Sequence, residues 1–287
     1  PPRSTLFPYT TLFRSVYGEQ KLIYADWIAS GRLYRPIEDK MLDVFGPMVA
    51  NTHTESSHTG KFMTDAYHFA LKEIKRHVNA GKEDVIVTSG FGMTSSINKF
   101  QRILGFKNSS FVFENPKERP VVFVTHMEHH SNQTSWYETI AEVVVVEPDN
   151  RLTVSPDELR KVVKQYADRP MKIGSFTACS NVTGIKTPYH ELAKVMHEEG
   201  GLCFVDFAAS APYVEMNMHP ADPMMKLDAI FFSPHKFLGG PGASGVLIFN
   251  SQLYKNRVPD HPGGGTVDWT NPWGEYKYID EIGRAHV

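Results

Sequence analysis

Residues 228–242 read DAIFFSPHKFLGGPG. A short apolar run stops at Ser233, and His235 and Lys236 stand between that run and a glycine-rich loop. Runs without polar alternation belong to strands buried on both faces. A lysine in that place is unusual as mere surface charge. With a lowered pKa it becomes a nucleophilic amine able to form a Schiff base. Gly239, Gly240 and Gly242 would let a cofactor approach the backbone.

Six more runs of the same kind flank it, at 85–88 (VIVT), 121–125 (VVFVT), 142–146 (EVVVV), 172–176 (KIGSF), 202–206 (LCFVD) and 245–249 (GVLIF). Helical patterns alternate with them. Residues 62–77 carry Phe62, Ala66, Phe69, Ala70 and Ile74 at helical spacing. Ser155-Pro156-Asp157-Glu158 reads as a capping box with proline at the first helical position, opening 156–167. Pro188 opens another helix, which Gly200-Gly201 stops. Seven strands alternating with helices predict an α/β fold, a mostly parallel seven-stranded sheet between helices. Ligands of such sheets bind beyond the carboxyl ends of the strands.

The residues that follow each strand are therefore the candidates for chemistry. Ser89-Gly90-Phe91-Gly92-Met93-Thr94-Ser95-Ser96 places glycines and hydroxyls before a helix, as a phosphate cradle would. The same glycines fit a plain tight turn, or a dinucleotide fingerprint with Glu114 as the ribose acid, although Ser95 stands at its third glycine. His126-Met127-Glu128-His129-His130-Ser131-Asn132 lacks the spacing of a zinc site, and an aromatic or acid–base role in a cleft fits better. Thr177, Cys179, Ser180 and Asn181 form either a polar turn or a hydrogen-bonding edge, and Cys179 reads as a small packed residue rather than a nucleophile. Asp206 ends an apolar strand. A carboxylate there is costly to bury without a cationic partner such as a protonated ring nitrogen. Phosphate cradle, ring-facing His, polar Asn, pyridinium-pairing Asp and Schiff-base Lys are the set that pyridoxal 5′-phosphate requires.

At these residues the chain resembles class V aminotransferase-type enzymes of pyridoxal-phosphate fold type I, and within them the cysteine desulfurase and selenocysteine lyase branch. The likeness spans nearly all of 22–268. It rests on Ile23-Tyr24-Ala25-Asp26, Glu128-His129-His130-Ser131-Asn132, Ser180-Asn181-Val182-Thr183-Gly184, Val205-Asp206 with Ala208, Ser233-Pro234-His235-Lys236, and Gly263-Gly264-Gly265-Thr266-Val267. The resemblance implies that Lys236 holds the cofactor as an imine and later moves the substrate Cα proton. It implies that Asp206 pairs with the pyridine N–H, that His129 stacks on the ring and aids proton transfer, and that Asn181 bonds the ring hydroxyl. Thr94, the Gly92-Met93 backbone, Ser233 and His235 would hold the phosphate. Thr266 would reach the phosphate of a neighbouring subunit, which implies a homodimer with shared sites. His53 and His58 match family histidines loosely. Ala209 replaces the family's Gln after Val-Asp-x-Ala, and Met93 stands where Thr is common.

The implied reaction is removal of sulfur from cysteine, giving alanine, with a possible sulfur-acceptor protein. The alternatives are a class V transaminase, epimerase or other lyase. Further off stand a nicotinamide-dependent oxidoreductase using Gly90, Gly92 and Glu114, and an inactive fragment. Neither Cys179 nor Cys203 matches the family's persulfide cysteine. That cysteine and the substrate-carboxylate Arg are expected beyond residue 281, in a small C-terminal domain mostly missing here.

Residues 1–15 (PPRSTLFPYTTLFRS) and 282–287 (IGRAHV) resemble translated sequencing-adapter oligonucleotides, so both are expected to be foreign tails. The expected division is then 16–268 as the cofactor-binding domain and 269–281 as the start of a truncated part. The remaining composition is ordinary. Among 287 residues, 41 % are hydrophobic and 22 % charged, and the net charge of -2 argues against nucleic-acid binding by bulk charge. The mean hydropathy of -0.32, with no apolar run near the ~20 residues of a membrane span, argues against a membrane protein. Two cysteines cannot build a disulfide framework, which points to the cytoplasm. No metal is expected.

Overall fold

The computed structural model describes residues 6–7, 12–52, 56–107 and 111–279. The expectation for His53, that for 282–287 and most of that for 1–15 lie outside them. The chain forms two compact units. One runs to Ile74 and includes Pro234–Ala243; the other holds Lys75–Ser233 and the chain from Ser244.

The larger unit is built on a seven-stranded sheet: β1 (Asp84–Ser89), β2 (Val121–Thr125), β3 (Glu142–Val146), β4 (Lys172–Thr177), β5 (Leu202–Asp206), β6 (Ala229–Phe232) and β7 (Gly245–Asn250). All seven apolar runs are strands of this sheet, in the spatial order β1-β7-β6-β5-β4-β2-β3. Strands β6, β5, β4, β2 and β3 pair parallel in turn. Strand β7 is antiparallel to both β6 and β1. The reversal follows from the connection. A parallel return needs a crossover, usually helical, whereas the link after β6 carries only the 3-10 turn Pro234–Lys236.

Alternation along the strands sends residues to two faces. One face carries Val122, Val124, Ile173, Phe204, Phe231, Leu247 and Phe249, packed with Ile97 and Phe100 of α3 (Gly92–Ile103) and Trp136 of α4 (His130–Tyr137). Phe100 meets Phe204, Phe231 and Phe249 edge-on or tilted, with centroids 4.9–5.8 Å apart. Burying several aromatic rings at one point contributes about 1.5–3 kcal/mol per side chain. The other face meets α5 (Pro156–Lys164) and α6 (Tyr189–Glu198), which bury Leu159, Val163, Leu192 and Met196. Ser155 caps α5 by accepting the Glu158 N–H at 3.4 Å. Pro188 is the residue just before α6 rather than its first, and Gly200, at φ +72°, ends the helix.

The loop after β7 is fastened to α3. Asp260 takes two hydrogen bonds from Arg102, at 2.7 and 3.1 Å, with buried Lys99 3.6 Å away.

The smaller unit contains α1 (Arg35–Lys40) and most of α2 (His58–His77), which begins at His58 and covers the predicted 62–77. Its loop Pro234–Ala243 lies along the segment before α1. Gly31 N donates to His235 O at 2.9 Å, and Gly239 N to Arg32 O at 2.7 Å. A Cβ on Gly31 would fall 1.8 Å from the Phe237 carbonyl oxygen, so only glycine fits there. None of the helices formed by the described residues is long and apolar enough to cross a membrane.

Candidate active site

The carboxyl ends of β2, β4 and β5 gather polar groups inside the larger unit. Asp206 closes β5 and is 4 % exposed. Its Oδ1 accepts the Ala208 N–H at 2.8 Å, and its carbonyl accepts the Ala178 N–H at 2.9 Å. Thr177 is its register partner on β4. The loop that follows turns on Ser180, whose Oγ accepts the N–H groups of Val182 and Thr183, each at 3.2 Å. Asn181 sits half-buried in this turn.

Glu128 joins these strand ends. Its Oε1 accepts from Thr125 Oγ1 at 2.7 Å, Thr177 N at 2.9 Å and Thr125 N at 3.3 Å; its Oε2 accepts from Asn132 Nδ2 at 2.6 Å. The residue as a whole is half-buried, yet its carboxylate is enclosed. Burial pushes the pKa up and the nearby Asp206 charge adds to this. The hydrogen bonds pull it down, and it settles at about 7. The sequence motif at 128–132 contains Glu128 but marks no role for it. The signal was available: an acid just past a buried strand raises the question already asked of Asp206.

His129 is the N-cap of α4, its Nδ1 accepting the Ser131 N–H at 3.1 Å. That bond places the proton of the neutral ring on Nε2. Ser131 Oγ in turn lies 2.7 Å from Thr94 Oγ1, joining the first turns of α3 and α4. Gly92 opens α3 at φ +74°, and the Met93 N–H donates to Ser233 Oγ at 2.8 Å. The Met93 N–H is thereby committed to Ser233. The Ser233 hydroxyl, having accepted, can still donate its own proton. His129, Thr94, Met93 and Ser233 thus form one connected set.

Thr266 is buried in the turn it makes with Gly263, donating to Gly263 O at 2.8 Å and accepting Gly263 N at 2.9 Å. His235 and Lys236 belong to the smaller unit, both half-buried in the turn clasped by Gly31 and Arg32. Burial, helped by the adjacent Lys236 charge, holds the His235 pKa below its ordinary value. His58 is the first residue of α2. Cys203 is fully buried and its thiol is pushed far up by burial; Cys179 is raised in the same way and by the same cause.

The dinucleotide reading does not survive the topology. Gly90 and Gly92 follow an edge strand whose one neighbour, β7, is antiparallel. A dinucleotide fold needs parallel strands on both sides of its switch point.

The aminotransferase class-V family matches residues 23–282. The chain is 28 % identical over 291 residues to a probable cysteine desulfurase of Halalkalibacterium halodurans, covering 98 % of this chain and 66 % of that protein. It is 28 % identical over 250 residues to a cysteine desulfurase of Synechococcus elongatus, covering 86 % of this chain and 37 % of the relative. The chain thus spans between 37 % and 66 % of the length of these two relatives. The fold is similar to that of an apo cysteine desulfurase from Thermococcus onnurineus, with a TM-score of 0.73 at 23 % identity, covering 92 % of this chain and 62 % of that one. By the extent of the family match, from the first strand motif to beyond the last glycine run, the chain belongs to the class-V aminotransferases.

Proposed function

We propose that this chain carries the cofactor-binding part of a pyridoxal 5′-phosphate enzyme of the cysteine desulfurase kind, acting on a small amino acid. The observation that carries the reading is Asp206, a buried carboxylate at a strand end in a chain of this family. The residues suit the cofactor. A helix start with a close-approaching glycine and hydroxyls at Thr94 and Ser233 suits a phosphate. A buried acid suits a ring nitrogen that must stay protonated.

Bound pyridoxal phosphate supplies the electron sink for bond breaking at the substrate Cα. Lys236 would be the amine that holds the cofactor and would move the proton at the substrate Cα. Asp206 would keep the ring nitrogen protonated. His129 would serve the ring face, and Asn181 would bond the ring hydroxyl. Gly92, Met93, Thr94, Ser233 and His235 form the phosphate end. Thr266 completes a neighbouring site in a homodimer. With burial raising both thiols, we give neither Cys179 nor Cys203 a sulfur-accepting role. Two cysteines outside any disulfide fit a cytoplasmic enzyme. The aminotransferase class-V match supports one second reading, transfer of the amino group by the same Lys236 and Asp206.

The cofactor-loaded chain, mixed with cysteine, separates these readings. With a thiol reductant such as dithiothreitol present to take the sulfur and reduce it, alanine and sulfide in equal amounts support the desulfurase. A 2-oxo acid with the amino group left on the cofactor supports the transaminase. Neither product, with no spectral response to cysteine, overturns both.

A further inference from the structure

The roles above leave Glu128 without one, although its carboxylate accepts four hydrogen bonds at these strand ends. All four groups bonded to it are donors, from β2, β4 and α4. The Asn132 amide cannot turn over to offer its oxygen instead. Its Nδ2 also donates to Ser175 O at 3.1 Å, while its Oδ1 accepts Ser175 Oγ at 2.7 Å. Ser175 Oγ is itself fixed by Trp136 Nε1 at 3.0 Å. The arrangement therefore suits an ionised carboxylate, because a proton on Oε1 would displace one of its three donors and a proton on Oε2 would meet only donors among the groups bonded to the carboxylate. The one charged neighbour acting on it is Asp206 of β5; Thr125, Thr177 and Asn132, which face it, are neutral.

Glu128 directly precedes His129, the N-cap of α4, and grips Thr177, the register partner of Asp206. We propose that Glu128 is a positioning residue of the cofactor site, its carboxylate tying the start of α4, and so the His129 ring, to the end of β4 beside Asp206. The assignment rests on the reading that His129 and Asp206 serve the cofactor. It makes the grip depend on the charge of Glu128, which changes around pH 7. Above that pH the four donors are held. Below it the neutral acid accepts these bonds more weakly and the His129 turn loosens.

Two measurements test this. In the cofactor-free protein, hydrogen exchange at the Thr177 amide, corrected for intrinsic rate, gains protection as pH rises through about 7. Glu128→Gln removes that step and lowers the protection roughly tenfold or more. Glu128→Asp, keeping the charge, restores part of it. In the loaded protein, the visible cofactor band of the wild type shows a matching step in its pH titration. Glu128→Gln lacks the step and binds pyridoxal phosphate more weakly, and adding it to His129→Asn costs little more. A wild type that takes up no cofactor overturns the underlying reading. A wild type that does, beside a Glu128→Gln protein of equal affinity and identical titration, overturns the assignment alone. Should Glu128→Gln not fold, wild-type Thr177 protection that is flat across neutral pH overturns it.

Discussion

The hydroxyl of Ser233 accepts the backbone N–H of Met93 across 2.8 Å, tying the residue after β6 to the first turn of α3. Both residues are buried, at 3 % exposure each. Ser233→Ala strands a buried N–H, which costs about 1–3 kcal/mol. Urea unfolding at neutral pH is expected to show that loss, and Ser233→Thr, which keeps the hydroxyl, a smaller one. Equal stability of wild type and Ser233→Ala would contradict this.

Gly31 does for the Lys236 turn what Ser233 does for α3. Its N–H holds His235 O, and its missing side chain leaves room for the Phe237 carbonyl. Gly31→Ala must push that carbonyl away, at a cost of about 1–3 kcal/mol, as for other overpacked sites. Because the displaced residues flank Lys236, attachment of the cofactor should fall more than global stability does. Comparing bound pyridoxal phosphate with the urea midpoint separates the two effects.

A third site sets the pH range of stability. His197 Nε2 donates to Asp228 Oδ2 at 2.7 Å, and its Nδ1 faces Met224 O at 2.7 Å, so both ring nitrogens meet acceptors. Burial works against both charges. The hydrogen bonds override it, raising the His197 pKa above 6.5 and lowering that of Asp228 below 3.8. The raised histidine contributes stability below its ordinary pKa, which is lost as pH climbs through its folded value. The lowered aspartate contributes above its ordinary pKa, which is lost as pH falls through its folded value. Thermal unfolding should therefore show the contribution of this pair fully present between about pH 4 and 6.5, fading on either side. His197→Ala should remove about 1.5–3 kcal/mol within that window, since Lys226 Nζ still lies 3.3 Å from Asp228 Oδ1 and the Cys203 N–H still donates to Oδ2. A variant whose stability tracks the wild type at every pH would refute it.

The strands were legible because most are built on short apolar runs buried on both faces, as at 121–124 and Ala229–Phe232. Their directions were not. Val246, Leu247 and Ile248 would read the same in a parallel strand, and only the helix-free link before Gly245 reverses β7. At the strand ends, Asp206 was readable because an acid closing an apolar strand has few explanations. Glu128 was hidden, since its partners Thr125, Thr177 and Asn132 come from three elements and meet only in the fold. The bond from Met93 to Ser233 was illegible for the same reason, spanning 140 positions. The turn that absorbs Thr266 is local, but the glycine run at 263–265 permits too many conformations for its outcome to be read.

The most direct measurement is chemical. The chain is incubated with pyridoxal phosphate, reduced with borohydride to fix any imine as a stable secondary amine, digested, and mapped by mass spectrometry. The pyridoxyl group should appear on Lys236, with Lys236→Ala left unlabelled under the same conditions. A reduced chain with no label, or one labelled on another lysine while Lys236 stays unmodified, would contradict the claim that this amine holds the cofactor.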